Sequence, residues 1–308
     1  MPGEGTRRVC REAVAIVEMA RVHADSLAVG VTPIRARGIG LEWDDYRDYQ
    51  PGDDFRLIDW RLSSRSIGSD GGMRLLVRER RAERQLEVVL ALDASPSMDF
   101  GEKLHAALYA LSFLTSLASW LGDVTTLLIL GDRLTALRLP PSELALAAVK
   151  ELCETPEPGG AVDLRRVARA AASLSRRRAS LVLITDLAHD PGEFEGLASA
   201  LSAVGWGLGV AISSHPSEIS LPRGGTAELV DPENGSVLVE GVDGWRLLSE
   251  RLSRHRAEVF ATLRRWAVPH VEFVGLGGCR SAATDLAWLY RSAREGAGRV
   301  EAARAARA

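Results

Sequence analysis

The sequence predicts an α/β protein: a mostly parallel sheet with helices on both of its faces. Three observations point there. Short apolar runs alternate with helical stretches over most of the chain, the pattern of repeated strand–helix units. One run, residues 86–92, is nearly all apolar, as a central strand covered on both sides requires. Two such runs end abruptly in an aspartate, LALD at Asp93 and LVLITD at Asp186, and the carboxyl ends of strands are where open sheets of this class bind ligands.

The elements follow in order. Residues 9–28 place Ala13, Ile16, Val17, Ala20, Ala24 and Leu27 on one helical face. Residues 30–70 have no sustained period and are rich in Gly, Asp, Arg and aromatics. Strands are expected at 73–78 and 86–92, a helix at 102–121, and a strand at 125–130 that pairs with 132–139 through a turn at Gly131. Pro140 and Pro141 open a helix at 142–153. ETPEPGG, residues 154–160, is a loop by composition. Helices at 164–174 and 193–203 alternate with strands at 181–184 and 208–212. Two short β-like runs flank Asn234-Gly235, a hairpin signal that places an insertion near 227–240. A long helix at 243–266 begins at Asp243, a suitable N-cap. A strand at 270–274 and a helix at 284–294 close the fold, and 295–308 read as a disordered tail. The domain division expected is 1–85, a helix and charged aromatic segment packing on the main domain, and 86–294, the sheet domain itself.

Composition narrows the function classes. The chain has 308 residues, 46% hydrophobic and 26% charged, with a net charge of −3. That balance argues against a dedicated nucleic-acid binder. The arginines of RRVARAAASLSRRR (Arg165, Arg166, Arg169 and Arg176–Arg178) read as a solvated helix face, with docking to an acidic partner as the alternative. Cys10, Cys153 and Cys279 are far apart and form no CxxC pair. This argues against a disulfide framework or zinc site and fits a cytoplasmic location. The N-terminus has no signal-peptide core. Two uncharged runs, 106–122 and 196–214, read as buried elements and not as membrane spans. The first is short of the roughly 20 residues a span needs, and the second is broken by Gly205, Gly207 and Gly209.

The chemistry concentrates in VVLALDASPSM, residues 88–98. Asp93, Ser95 and Ser97 form D-x-S-x-S at a strand end, where a loop can turn one carboxylate and two hydroxyls toward one point. A hard cation such as Mg2+ or Mn2+ takes such oxygen ligands. The bland reading is that the serines cap the next helix while Asp93 accepts backbone N–H groups. The pattern resembles the metal-ion-dependent adhesion site of von Willebrand factor A domains, with Asp186 in the place of that family's distant aspartate. The resemblance implies a further threonine ligand in a GGT-type loop. Here the stretch is GGAVDL, residues 159–164, with Ala161 where the hydroxyl is expected, so the site lacks one ligand unless Asp163 or a water replaces it.

Enzymatic readings fit less well. A metal-dependent phosphohydrolase using Asp93 as nucleophile is the alternative, but such enzymes want a second acid two residues on, where Ser95 stands. Neither serine sits in G-x-S-x-G. The six histidines show no metal-ligand spacing. His189 either reaches the cleft or, the more ordinary reading, is a solvated loop residue.

Residues 38–65 interleave aromatics with charges around Pro51-Gly52: Arg47, Asp53, Asp54, Arg56, Asp59 and Trp60 among them. This mix is too aromatic for a linker. It reads as an ion-pair network packed on the sheet domain, or as a partner-docking surface built from those six residues. The same stretch, with Gly38, Gly40, Glu42, Trp43, Tyr49, Gly52, Ile58 and Arg65, resembles the bacterial family known as domain of unknown function 58. Its pattern R-x-Y-x-x-GDD-x-R-x-IDW is followed here, at the family's spacing, by LDASPSM and then Lys103 in the next helix. The resemblance implies a von Willebrand factor A-like binding module, not an enzyme, that works with a MoxR-type AAA+ ATPase as an adaptor.

Overall fold

The computed structural model describes residues 4–31, 44–49, 55, 58, 60–63, 74–80, 86–131, 133–154, 162–174, 179–221, 226–231 and 235–305. The chain divides into two compact units, Met1–Leu27 with Leu86–Ala308, and Ala28–Gln85.

Helix α1 (Glu4–Val31) buries Ala13, Ile16, Val17, Ala20 and Ala24, with Leu27 half-buried, so the predicted face is the packed one. In the smaller unit, β1 (Asp44–Asp48) and β2 (Leu76–Arg80) pair antiparallel, with Tyr46 opposite Arg78. Between them in sequence lies the short helix α2 (Trp60–Ser63). The buried Ser63 accepts the Leu76 N–H at 2.8 Å, and Ile58 bridges to Val77, both buried.

The larger unit carries the six-stranded sheet. In chain order come β3 (Glu87–Asp93), a 3-10 turn (Pro96–Asp99), α3 (Lys103–Leu121), β4 (Val124–Leu130), β5 (Thr135–Leu137), α4 (Pro141–Glu154) and α5 (Leu164–Leu174). Then follow β6 (Ala179–Thr185), α6 (Pro191–Val204), β7 (Gly207–Ser214), α7 (Pro216–Ile219), the hairpin β8 (Ala227–Val230) and β9 (Val237–Glu240), α8 (Val242–Arg265), β10 (His270–Val274) and α9 (Cys279–Ala305). The sheet order is β10-β7-β6-β3-β4-β5, parallel throughout except for the edge strand β5. Counted within the sheet this is 3-2-1-4-5-6 read from the β5 edge, the doubly wound arrangement that the von Willebrand factor A resemblance implies.

The side-chain period of two divides β3 between two cores. Val88, Leu90 and Leu92 face α1, α3, α4 and α9; Val89 and Ala91 face α5, α6 and α8. All five are fully buried, and each fully buried Val or Leu is worth about 1.5–3 kcal/mol. Burial on both faces is why this strand shows no polar alternation. Helix α3 is long and apolar enough to cross a membrane by length and composition, and 72% of its apolar window is buried inside this fold. The run at 196–214 splits as expected: Gly205, at φ 78°, ends α6 with its N–H on the Leu201 and Ser202 carbonyls, and β7 follows.

Below the sheet, at its amino end, Asp123 is a buried anchor. It accepts the Leu86 N–H at 3.1 Å, the Tyr290 hydroxyl at 2.8 Å and the Arg294 guanidinium at 2.9 Å. This ties α9 to the edges of β3 and β4. Burial, with the Asp123 charge beside it, pushes the Tyr290 phenol well above its ordinary range.

Three expectations are corrected. Cys10 and Cys153 form a disulfide, with Cα atoms 5.9 Å apart. Helices α1 and α4 both pack against α3, which brings together two cysteines 143 residues apart. Residues 295–305 of the expected tail are helical instead: α9 runs to Ala305, because EAARA is made of strong helix formers. Helix α8 begins at Val242 with Gly241 as its N-cap, two residues before Asp243, the aspartate expected in that role.

Candidate functional site

The chain leaves β3 toward β4 and returns on its other side as β6, so the crevice between the carboxyl ends of β3 and β6 is the switch point of this sheet. Asp93 is the last residue of β3, and Asp186 follows the last residue of β6. Both are buried, at 0% and 1% exposure.

Asp93 is held from three directions. Its Oδ1 accepts the Ser95 N–H at 2.9 Å, closing the turn that leads into Pro96. Its Oδ2 accepts the Thr185 hydroxyl at 2.6 Å and His189 Nε2–H at 2.9 Å. The other ring nitrogen of His189 donates to Glu193 Oε2 at 3.2 Å. Burial works against the charged imidazole, but hydrogen bonds and charges from Asp93 and Glu193 outweigh it and carry His189 up to about 10. It is therefore an imidazolium at neutral pH. Burial likewise opposes the Asp93 carboxylate, yet His189, Thr185 and the Ser95 N–H bring it below its ordinary value.

Asp186 is built the same way. Its Oδ1 accepts the Ala188 N–H at 2.9 Å, and its Oδ2 accepts Lys103 Nζ at 2.8 Å. Lys103 is 2% exposed, and its Nζ also donates to Glu218 Oε1 at 2.6 Å. Burial works against this ammonium, but the charges of Asp186 and Glu218 lift it above its ordinary range. Lys103 opens α3, so its side chain leans toward the helix N-terminus and the sheet's carboxyl end. The Ser213 hydroxyl donates to its carbonyl at 2.8 Å.

The mouth is shaped by α7. Glu218 Oε2 accepts the His215 N–H at 2.8 Å, within a capping box. The His215 ring meets Phe100 edge-on, with centroids 5.0 Å apart. Gly101, at φ 63°, gives it room: a Cβ there would lie 2.4 Å from the ring. Phe100 and Ile219 remain about half-exposed.

Of the residues expected at the site, Asp93, Ser95, Ser97 and Asp186 gather at this crevice end, all buried; the two serine hydroxyls lie 3.1 Å apart. Ser95 stands at the N-cap of the 3-10 turn but makes no side-chain cap bond. Asp163 serves elsewhere. Its carboxylate accepts the Arg165 N–H at 2.9 Å, its carbonyl accepts the Arg166 N–H at 2.9 Å, and it so starts α5. Ala161 and Thr155 lie outside the described residues. So do Asp53, Asp54, Arg56 and Asp59; Arg47 lies in β1, and Trp60 opens α2 and is exposed. Sequence reasoning missed Thr185, Glu193 and Glu218, and the ordinary reading of His189 is corrected, since the ring is buried on Asp93. The one signal for His189 was its place three residues after Asp186.

The donor set suits a hard cation in kind, since it offers two carboxylates and two hydroxyls. It fits poorly in charge. Each aspartate already carries a cation at hydrogen-bond distance, and a second positive charge 4 Å away costs about 4 kcal/mol per unit charge at an effective dielectric of 20. Among the described residues, no group of three or more His, Cys, Asp or Glu side chains is placed to hold a metal.

Residues 45–250 match the family described as "Protein of unknown function DUF58". The chain is 30% identical over 291 residues to the uncharacterized protein Rv1480 of Mycobacterium tuberculosis, covering 90% of this chain and 85% of that one. Among solved structures it is similar to the conserved hypothetical protein BatB from Bacteroides thetaiotaomicron, with 16% identity, 67% and 100% of the two chains covered and a TM-score of 0.40. It is also similar to a von Willebrand factor type A protein from Catenulispora acidiphila, with 15% identity, 58% and 43% covered and a TM-score of 0.30. The fold assignment rests on the strand order of the sheet itself.

Proposed function

This chain belongs to the DUF58 family of proteins of unknown function, and we propose that it is a non-catalytic protein-interaction module that presents the mouth of the Asp93–Asp186 cleft to a partner. The observation that carries this reading is the state of Asp93. It is fully buried, both of its oxygens are hydrogen-bonded, and the His189 ring closes over one of them. A nucleophilic carboxylate needs a free oxygen within reach of the substrate, so the phosphohydrolase alternative loses its key residue. What is offered to solvent is a binding surface instead. Phe100 and Ile219 flank, in sequence, a loop and a helical turn held together by the Lys103–Glu218 ion pair.

The partner we propose is a MoxR-type AAA+ ATPase, with this chain as its adaptor. A divalent ion, Mg2+ or Mn2+, is not required by this reading. The test is direct binding between the purified chain and a purified MoxR-type ATPase from the same organism, followed by surface-plasmon or calorimetric titration. Saturable binding that is weakened by Phe100→Ala with Ile219→Asp supports the reading; binding that ignores both substitutions, or no binding, sinks it. A panel of phosphate esters distinguishes the rival: metal-dependent turnover abolished by Asp93→Asn would establish a hydrolase.

A further inference from the structure

We propose that Lys103 is a tethered cation that takes the place of a divalent ion at this cleft, so that the site is charged and closed without metal. The proposal rests on the placement of the cleft in the reading above, not on the identity of its partner.

Two independent observations support it. The first is geometric. Lys103 Nζ lies 2.8 Å from Asp186 and 2.6 Å from Glu218, and so bridges a carboxylate at the floor of the cleft to one at its mouth. Lysine is almost never fully buried unless it is paired, and this one is 2% exposed with both partners in place. Its position is fixed from behind by the buried Ser213 hydroxyl on its carbonyl. Glu218 is fixed in turn by the His215 N–H, and the His215 ring fits only because residue 101 is glycine. The second observation is chemical: the other aspartate of the cleft, Asp93, has both oxygens taken by groups of this chain, Oδ1 by the Ser95 N–H and Oδ2 by the Thr185 hydroxyl and His189 Nε2. The chain thus fills its own carboxylates and supplies a cation of its own. With the ammonium as the resident charge, the group it accepts is a carboxylate, and Glu218 of the same chain holds that place.

The probe is Mn2+, followed by calorimetry and by its electron paramagnetic resonance signal, with the full chain. The wild type is expected to show no saturable Mn2+ binding at micromolar concentrations, and its melting temperature is expected to ignore both Mn2+ and EDTA. Lys103→Met removes the ammonium and leaves the oxygens, so Mn2+ affinity should rise by roughly a hundredfold or more. The gain should disappear in Lys103→Met with Asp186→Asn. Lys103→Gln serves as a second variant should the first fail to fold. Micromolar Mn2+ binding by the wild type, lost on Asp186→Asn, overturns the proposal. So does the absence of any gain in a folded Lys103 variant. Neither result touches the ATPase titration, so the two readings fail separately.

Discussion

The two ends of the central sheet each bury aspartate, and they use it differently. At the amino end, Asp123 binds one backbone N–H, one phenol and one guanidinium, the last two from α9, and so fastens that helix to the sheet. At the carboxyl end, Asp93 and Asp186 each hold a cation, and each cation holds a second, more exposed glutamate: Asp93–His189–Glu193 and Asp186–Lys103–Glu218. A buried carboxylate by itself marks nothing. What separates a fastening from a candidate site is a charge chain that runs from the floor of the crevice to its mouth, at the end of the sheet where loops leave.

The largest expected effect tests the fastening. Asp123→Ala leaves the largely buried Arg294 guanidinium without its carboxylate and should cost about 3–5 kcal/mol, as removal of one partner of a buried pair does. Asp93→Ala should cost less, about 1–3 kcal/mol, because His189 can shed its proton once the carboxylate is gone. Urea unfolding of both variants at neutral pH measures the contrast. Equal losses would mean that the carboxyl-end cluster is as purely structural as the other.

The pH dependence sharpens it further. His189 stands at about 10 in the folded protein against an ordinary 6.5. Folding therefore favours its protonated form. The stability it contributes is fully present below about 6.5 and is lost as pH climbs through that window to about 10. Asp93 shifts the opposite way, from 3.8 downward, so its contribution is present above 3.8 and is lost as pH falls below it. The stability difference between wild type and His189→Gln should be constant below about 6.5 and shrink steadily as pH rises from there toward 10. A difference that stays flat across that range would show that His189 is not charged there.

How much of this was legible depends on whether the signal is local. The apolar runs were readable because strands buried on both faces need no polar alternation, and Asp93 and Asp186 stood out because each cuts such a run short. The partners were not readable. Lys103 meets Asp186 across 83 residues and Glu218 across 115, and His189 meets Asp93 across 96. Their pairing exists only once β3, β6 and β7 lie side by side. Asp163 shows the converse. An aspartate that starts a helix and an aspartate of the cleft look alike in sequence, and Asp93, Asp186 and Asp163 all accept the N–H two residues on; what tells them apart is the distant partner, His189 on Asp93 and Lys103 on Asp186, where Asp163 has its neighbour Arg165. Strand β1, DDYRD, has no apolar pattern, and its pairing with Leu76–Arg80 is what makes it a strand.

The smallest expected effect lies at the mouth. Glu218 is about one-third exposed, and Lys103 keeps Asp186 when Glu218 is neutralised. Glu218→Gln should therefore cost under about 1 kcal/mol, the range of a partly exposed ion pair, with the His215 N–H still able to bond the amide oxygen. The consequence should appear in binding instead. If Glu218 holds the place of an acidic group, removing its charge leaves Lys103 with unmatched positive charge at the mouth. Affinity for an acidic partner should then rise, and rise more at low salt, where charge is screened least. A loss of affinity on Glu218→Gln would mean that the glutamate is itself part of the docking surface and not its internal occupant.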